Sequence, residues 1–175
     1  MNYATIKWTD IANGEGVRVS LFVSGCTHHC KNCFNQVAWD FSYGELFDEK
    51  AEQAILEGLK PDFIAGLSLL GGEPLEPQNQ VVLFPFIKKV REQYPQKTIW
   101  CYTGYVFDAL SGALTATDKN TAYTQALISM FDVLVDGAYI DELKNIRLKF
   151  RGSSNQRVID VKKTLERREC MLYLE

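Results

Sequence analysis

The chain has 175 residues, 46% of them apolar and 23% charged, which suits one soluble compact domain. Its formal charge of −3, from 19 basic and 22 acidic side chains, gives no electrostatic case for binding nucleic acid or a membrane surface. The opening MNYATIKWTDIANGEG has no basic segment followed by an apolar run, and no stretch is apolar for long enough to span a bilayer. A cytoplasmic protein with reduced thiols is therefore expected.

Residues 17–24 (VRVSLFVS) are apolar and β-branched and predict a buried strand, ended by Gly25. Three cysteines follow at once, at positions 26, 30 and 33. Residues 49–59 predict a helix with Ala51, Ala54, Ile55 and Leu59 near one face. Residues 64–70 (IAGLSLL) predict a second strand, stopped by Gly71 and Gly72. Residues 80–94 predict a helix, with Pro85 in its first turn or kinking it. Residues 98–102 (TIWCY) predict a third strand, 121–130 a helix, 132–136 (DVLVD) a fourth strand and 157–161 (RVIDV) a fifth. The polar stretch 111–120 predicts a surface loop; 137–156 has no assignable pattern, and no repeat or linker is visible.

Strands alternating with helices imply parallel β/α units, and near-continuous apolar strands imply a sheet covered by helices. In such folds ligands collect beyond the carboxyl ends of the strands. Cys26, the run Gly71-Gly72-Glu73-Pro74, Thr103-Gly104 and Asp136-Gly137 each follow a predicted strand. All four are thus expected on one face, around one site.

Five cysteines are an odd number, and three fall within eight residues, which reads as metal binding rather than disulfides in a reducing compartment. The spacing Cys26-x3-Cys30-x2-Cys33 supplies three soft thiolates from one loop. A cubane iron–sulfur cluster normally takes four. Three would leave one iron open to a substrate, as in catalytic rather than structural metal sites. The alternative is structural zinc with His28 or His29 as fourth ligand. It is disfavoured because no second Cys or His pair exists elsewhere. The two histidines are expected as loop residues near the cluster, Cys101 as a buried strand residue and Cys170 as a packing residue.

The cysteine spacing after the first strand, together with Gly71-Gly72-Glu73-Pro74 after the second, resembles the radical S-adenosylmethionine superfamily. A closer resemblance rests on Asn13-Gly14-x-Gly16, Leu21 with the residues up to Cys26, Phe34-Asn35, Trp39, Tyr102-Thr103-Gly104-Tyr105, Val133 with the residues up to Gly137, and Arg151-Gly152-Ser153-Ser154-Asn155-Gln156. These look like the anaerobic ribonucleoside-triphosphate reductase-activating proteins, over residues 2–161. Two positions depart from the pattern. Asn32 stands where an aromatic residue often precedes the third cysteine, with Phe34 just after it, and Glu15 stands where proline is frequent.

The resemblance implies one radical S-adenosylmethionine domain over 1–175. It implies a 4Fe-4S cluster on Cys26, Cys30 and Cys33, cleavage of S-adenosylmethionine, and a glycyl radical formed on the large subunit of anaerobic ribonucleoside-triphosphate reductase. Reduced flavodoxin is the implied electron donor. The implied cofactor-binding residues are Asn32, Cys33, Phe34, Gly71, Gly72, Glu73, Thr103, Asp136, Asn155 and Arg157. Several of these have a plain structural role available: core packing for Phe34, a turn for Thr103 with Gly104 and for Asp136, loop capping for Asn155 with Ser153, and a solvated acid for Glu73. A full eight-unit barrel takes about 250 residues, so an incomplete, open (β/α)6-type barrel with a mostly parallel sheet is expected, its gap admitting a protein loop. Two rival readings are a short radical enzyme acting on a small molecule, similar to a deazapurine synthase, and a zinc-binding interaction module. The residues beyond Val161 are given no role.

Overall fold

The computed structural model describes residues 1–108, 112–115 and 117–174. Positions 111 and 116 of the expected loop lie outside the described residues. The strands are β1 (Asn2–Asp10), β2 (Val17–Val23), β3 (Glu45–Leu46), β4 (Ile64–Gly71), β5 (Thr98–Tyr102), β6 (Phe107–Asp108), β7 (Ala113–Leu114), β8 (Val133–Asp136), β9 (Arg157–Asp160) and β10 (Leu172–Leu174). The α-helices are α1 (Glu49–Gly58), α2 (Pro77–Gln93), α3 (Thr124–Ser129) and α4 (Val161–Arg167).

Eight strands form one sheet in the order β10-β9-β8-β5-β4-β2-β1-β3, while β6 and β7 make a separate hairpin. Only the central pairings β2–β4, β4–β5 and β5–β8 are parallel. The flanking pairings β1–β2, β1–β3, β8–β9 and β9–β10 are antiparallel. The structure is thus a mixed α/β fold around an open sheet, as the expected α/β class and open side require, with parallel pairing confined to the centre. The reason lies in the connections. A parallel crossover needs a covering element, normally a helix. Helices α1, α2 and α3 supply one before β4, β5 and β8. The connection from β8 to β9 contains only a 3-10 turn (Asp141–Leu143) and returns the chain antiparallel.

Side-chain alternation sorts the central strands into two faces. Val19, Leu21, Val23, Leu67, Leu69, Ile99, Cys101 and Leu134 pack with Ile55, Leu83, Phe86, Ile87 and Leu127 in the main core. On the other face Trp100, Val133, Val135 and Val158 form a smaller cluster, covered by Tyr102, Phe150 and Leu174. Burial on both faces is why these strands read as unbroken apolar runs.

Arg18 lies among that second set of side chains and is 0% exposed. All its donors are engaged: Nε with Ser68 Oγ (2.7 Å), Nη1 with Thr98 Oγ1 (2.9 Å) and the Glu15 carbonyl (3.1 Å), Nη2 with the carbonyls of Leu67 (2.8 Å) and Thr98 (2.9 Å). Its guanidinium also sits over the Trp100 ring at 5.5 Å. No carboxylate lies within ion-pair distance among the described residues, and burial lowers its pKa to about 10. Ser68 passes the contact on by donating to the Asn13 carbonyl at 2.6 Å. Arg18 thereby anchors the 12–16 loop beneath the sheet.

Two expectations on elements change. The helix expected over 80–94 begins at Pro77, where a missing N–H is harmless, so Pro85 falls mid-helix rather than in the first turn. The tail beyond Val161 does have a role. Asp160 caps α4 by accepting from the Lys163 amide (3.0 Å), and β10 extends the sheet edge. Cys101 is fully buried and Cys170 packs against the core, as expected. Among the described residues no helix is long and apolar enough to cross a membrane.

Candidate functional site

A cavity of about 400 Å³ opens beyond the carboxyl ends of β2, β4, β5 and β8. Its walls include Cys26, Cys30 and Cys33, the turn Gly71-Gly72-Glu73, and Thr103-Gly104. The four strand ends converge because three consecutive parallel pairings bring them to one edge of the sheet.

The cysteine loop leaves β2 through Gly25, whose φ of 94° is a left-handed value, and a Cβ there would meet the Phe41 ring at 2.2 Å. The amides of Gly25 and Cys26 donate to the carbonyls of Ala38 (2.8 Å) and Trp39 (3.2 Å), so the 3-10 turn Gln36–Trp39 braces the loop. Within it the Cys33 amide donates to the Cys30 carbonyl at 3.1 Å, and the Asn35 amide to Cys33 Sγ at 3.4 Å. His29 and Asn32 take left-handed φ values of 48° and 55°. These turns bring thiols from positions 26, 30 and 33 to one wall.

Two buried carboxylates hold this loop from below. Glu73 is 1% exposed and accepts from the amides of Leu75 (2.8 Å) and Gly104 (2.7 Å). His28 Nε2 lies 2.9 Å from Oε2, the oxygen that also accepts from Gly104, and the imidazole packs tilted against the Tyr105 ring at 4.4 Å. Glu76 is 2% exposed and accepts from the Thr27 amide (2.9 Å), the Thr27 hydroxyl (2.5 Å) and the Tyr105 hydroxyl (3.0 Å). Lys119 Nζ balances its charge at 3.3 Å. Burial would raise the Glu76 pKa, but the Thr27 and Tyr105 bonds and Lys119 hold it below the ordinary value. Sequence reasoning missed Thr27, Glu76 and Lys119. The only hint was a second glutamate three residues after Glu73.

The other expected site residues separate into two groups. Phe34 lines the cavity mouth with its ring 92% exposed. Asn32 points to Asp141 instead, with Nδ2 donating to Oδ2 at 2.7 Å. Asp136 and Arg157, expected to meet a cofactor, meet each other in a two-pronged ion pair, with Arg157 Nε 2.9 Å from Asp136 Oδ1. Asp136 also accepts from the Phe107 amide at 2.9 Å. Asn155 donates to the Ala138 carbonyl at 2.8 Å. None of Asn32, Asp136, Asn155 and Arg157 lines the cavity. Asn13, Tyr139, Phe150 and Arg151 do, and sequence reasoning gave them no site role. The Tyr102 hydroxyl at the cavity wall is buried without a hydrogen-bond partner among the described residues.

The donor set tests what could bind. All three loop thiols are free and partly buried. Burial pushes Cys26 up to about 12 and raises Cys30 as well, against a lowering bond from the Tyr139 amide. Cys26 and Cys30 are therefore protonated at neutral pH in the metal-free chain, and metal binding must displace those protons. Among the described residues no three Cys, His, Asp or Glu side chains converge as for a single ion. A zinc ion needs donors about 2.0–2.3 Å from one point. Three free thiols lining one cavity are a soft, all-sulfur donor set, the kind that holds an iron–sulfur cluster.

Comparison with known proteins agrees with this donor set. Residues 12–159 match the model of the 4Fe-4S single cluster domain family. The chain is 47% identical over 158 residues to the anaerobic ribonucleoside-triphosphate reductase-activating protein of Haemophilus influenzae, covering 89% of this chain and 96% of that one. The protein of the same name from Escherichia coli K12 is 39% identical, with the same coverage. That of enterobacteria phage T4 is 36% identical, over 90% of this chain and 93% of its own.

Proposed function

Because the chain belongs to the anaerobic ribonucleoside-triphosphate reductase-activating proteins, which carry a 4Fe-4S single cluster domain, we propose that it holds one cluster on Cys26, Cys30 and Cys33 and uses S-adenosylmethionine to place a glycyl radical on the reductase. The observation that carries this reading is the placement of three free thiols and the Gly71-Gly72-Glu73 turn on the walls of one cavity. When bound, such a cluster supplies an electron to the sulfonium of S-adenosylmethionine, giving methionine and a 5′-deoxyadenosyl radical that takes a hydrogen atom from the glycine α-carbon. A one-electron donor of the reduced flavodoxin kind is required, and the reaction belongs in the reducing cytoplasm.

The chain's own residues orient and shield. The amides of Gly72 and Glu73 are occupied by the carbonyls of Val23 (2.7 Å) and Gly25 (2.8 Å). An ammonium needs acceptors, so this turn recognises the methionine end through its carbonyls. Gly71, at φ 108°, lets the turn close against β2, since a Cβ there would sit 2.7 Å from the Val23 carbonyl oxygen. Arg151, at the cavity wall, has a planar fork that suits the methionine carboxylate. Thr103 and the unpartnered Tyr102 hydroxyl offer polar contacts for the ribose. The backbone of 32–34 and the Phe34 ring meet the adenosyl part, while the Asn32 side chain stays with Asp141. Trp39, Leu148 and Phe150 supply apolar wall that keeps water from the reacting atoms. Glu73, Asp136, Asn155 and Arg157 serve the cofactor indirectly, by fixing the strand ends and loops around it.

The test is anaerobic reconstitution followed by incubation with S-adenosylmethionine, a reductant and the purified reductase. A glycyl radical signal by electron paramagnetic resonance is expected. Iron-loaded protein that leaves a competent reductase without that signal would overturn the reading.

A further inference from the structure

Residues 144–151 (KNIRLKFR) carry Lys144, Arg147, Lys149 and Arg151 and no acid, in a chain of net charge −3. A cation run is ordinarily a solvated face. This one is a built loop. Its neck is closed by the Lys144–Ser153 bridge, by Asn145 N–H to the Gly152 carbonyl (3.2 Å) and by Ser154 N–H to the Leu143 carbonyl (3.0 Å). The fully buried Ser153 hydroxyl accepts from the Ile140 amide at 3.2 Å. Phe150 takes a left-handed φ of 56°, rare for a bulky aromatic, and seats its ring edge-on against Trp100 at 5.1 Å.

That seat has a consequence for the neighbours. Leu148 and Phe150 line the cavity, whereas Arg147 and Lys149 between and beside them are exposed. Lys144 is exposed as well, and Ile146 stands 92% exposed among the cations. Lys144, Arg147 and Lys149 make no ion pair among the described residues. A basic patch with an apolar centre thus borders the cavity mouth, where Phe34 is also 92% exposed. The acid it reaches is Asp141, whose carboxyl pKa is lowered by the Asn32 bond and also by the Lys144 charge, without an ion pair.

We propose that Lys144, Arg147 and Lys149, around Ile146, dock an acidic face of the reductase beside the loop that brings its glycine to the cavity. The proposal rests on the functional reading above. An apolar centre with a charged rim is the usual anatomy of a protein interface. A macromolecule reaching into the cavity past Leu148 and Phe150 meets these cations, so charge complementarity here steers the encounter.

The experiment measures affinity of the reconstituted activator for the reductase over a range of salt concentrations. The triple variant K144E/R147E/K149E is expected to bind at least about tenfold more weakly at low salt, with a flatter salt dependence. The neutral triple variant K144Q/R147Q/K149Q is expected to lie between it and wild type. Glycyl radical yield should fall at low reductase concentration and recover at high. Iron content and reductive cleavage of S-adenosylmethionine without reductase should stay unchanged, and K50E/K88E, on the helices, should behave as wild type. Wild-type affinity and salt dependence in both triple variants, with normal activation by wild type, would overturn the docking proposal alone. So would a loss confined to electron delivery from reduced flavodoxin, which would give the patch to the donor. Wild-type protein that neither binds nor activates the reductase would overturn the functional reading as well.

Discussion

The Glu76 carboxylate accepts both the amide and the hydroxyl of Thr27, the residue directly after the first cysteine of the loop, at 2.9 and 2.5 Å. These residues lie 49 apart in the chain. Their contact fixes the cysteine loop to the start of α2, so the position of the thiols depends on a carboxylate that touches none of them.

Replacing Glu76 with Ala is therefore expected to loosen the loop. Losing a charged acceptor for buried donors costs about 1–3 kcal/mol locally. Exchange of the Thr27 amide in metal-free protein should accelerate about 10- to 100-fold, and reconstituted iron content should fall. Glu76→Gln keeps an oxygen for Thr27 and should retain most of the protection. Unchanged Thr27 exchange in the alanine variant would contradict this role.

Crowding of the loop by neighbouring turns gives a second expectation. A Cβ on Gly104 would sit 2.5 Å from the His28 ring, and one on Gly72 would sit 2.6 Å from the Gly25 carbonyl oxygen. The first obstacle is a side chain that can turn, though it must leave Glu73 to do so; the second is backbone. Gly72→Ala should therefore lose more than Gly104→Ala, in both thermal midpoint and iron bound per chain. Equal, wild-type iron loading in the two variants would refute the ranking.

Arg18 is expected to be a stability residue. Arg18→Met leaves Ser68, Thr98 and the Leu67 carbonyl without their buried donor, at a cost of more than about 3 kcal/mol. Arg18→Lys keeps the charge but has three donors for a fork-shaped site and should recover only part. Denaturant unfolding at neutral pH measures both. A Met variant within 1 kcal/mol of wild type, about the size of one ordinary hydrogen bond, would show the network to be unimportant.

Asp132 gives the fold a defined acid sensitivity. Burial would raise its pKa, but bonds from Lys162, Arg91 and the Ile99 amide override this and lower it. A carboxyl whose folded pKa lies below its unfolded value of about 3.9 contributes stability above that pH. The contribution fades as pH falls through the folded value. Asp132→Asn should thus lower the midpoint at pH 7, and the gap from wild type should close below about pH 4. A gap independent of pH in thermal scans would contradict the sign.

The central strands were legible in the sequence because burial on both faces writes β-branched runs: β5 falls on residues 98–102 as read, and β2, β4, β8 and β9 within one residue at each end. β1 was invisible. All but one of its residues are half-exposed or exposed, and its sequence NYATIKWTD mixes polar and apolar positions. α4 and β10 are short, and only the Asp160 cap and pairing with β9 define them. At the site, the cysteines and Gly71-Gly72-Glu73 could be read because local spacing carries their chemistry. The pairings Asp136–Arg157, Asn32–Asp141 and Thr27–Glu76 could not, since each joins residues 21 to 109 positions apart. Asp136 and Arg157 looked like free polar groups at strand ends until the antiparallel return of β9 set them side by side.

The most direct measurement is iron and sulfide analysis of the anaerobically reconstituted chain beside Cys26→Ala, Cys30→Ala and Cys33→Ala. Near four irons and four sulfides per wild-type chain are expected, with loss in every single variant and no effect of Cys101→Ala or Cys170→Ala on the stoichiometry. Zinc in place of iron, or full iron retention after removal of any one of the three loop thiols, would contradict the account.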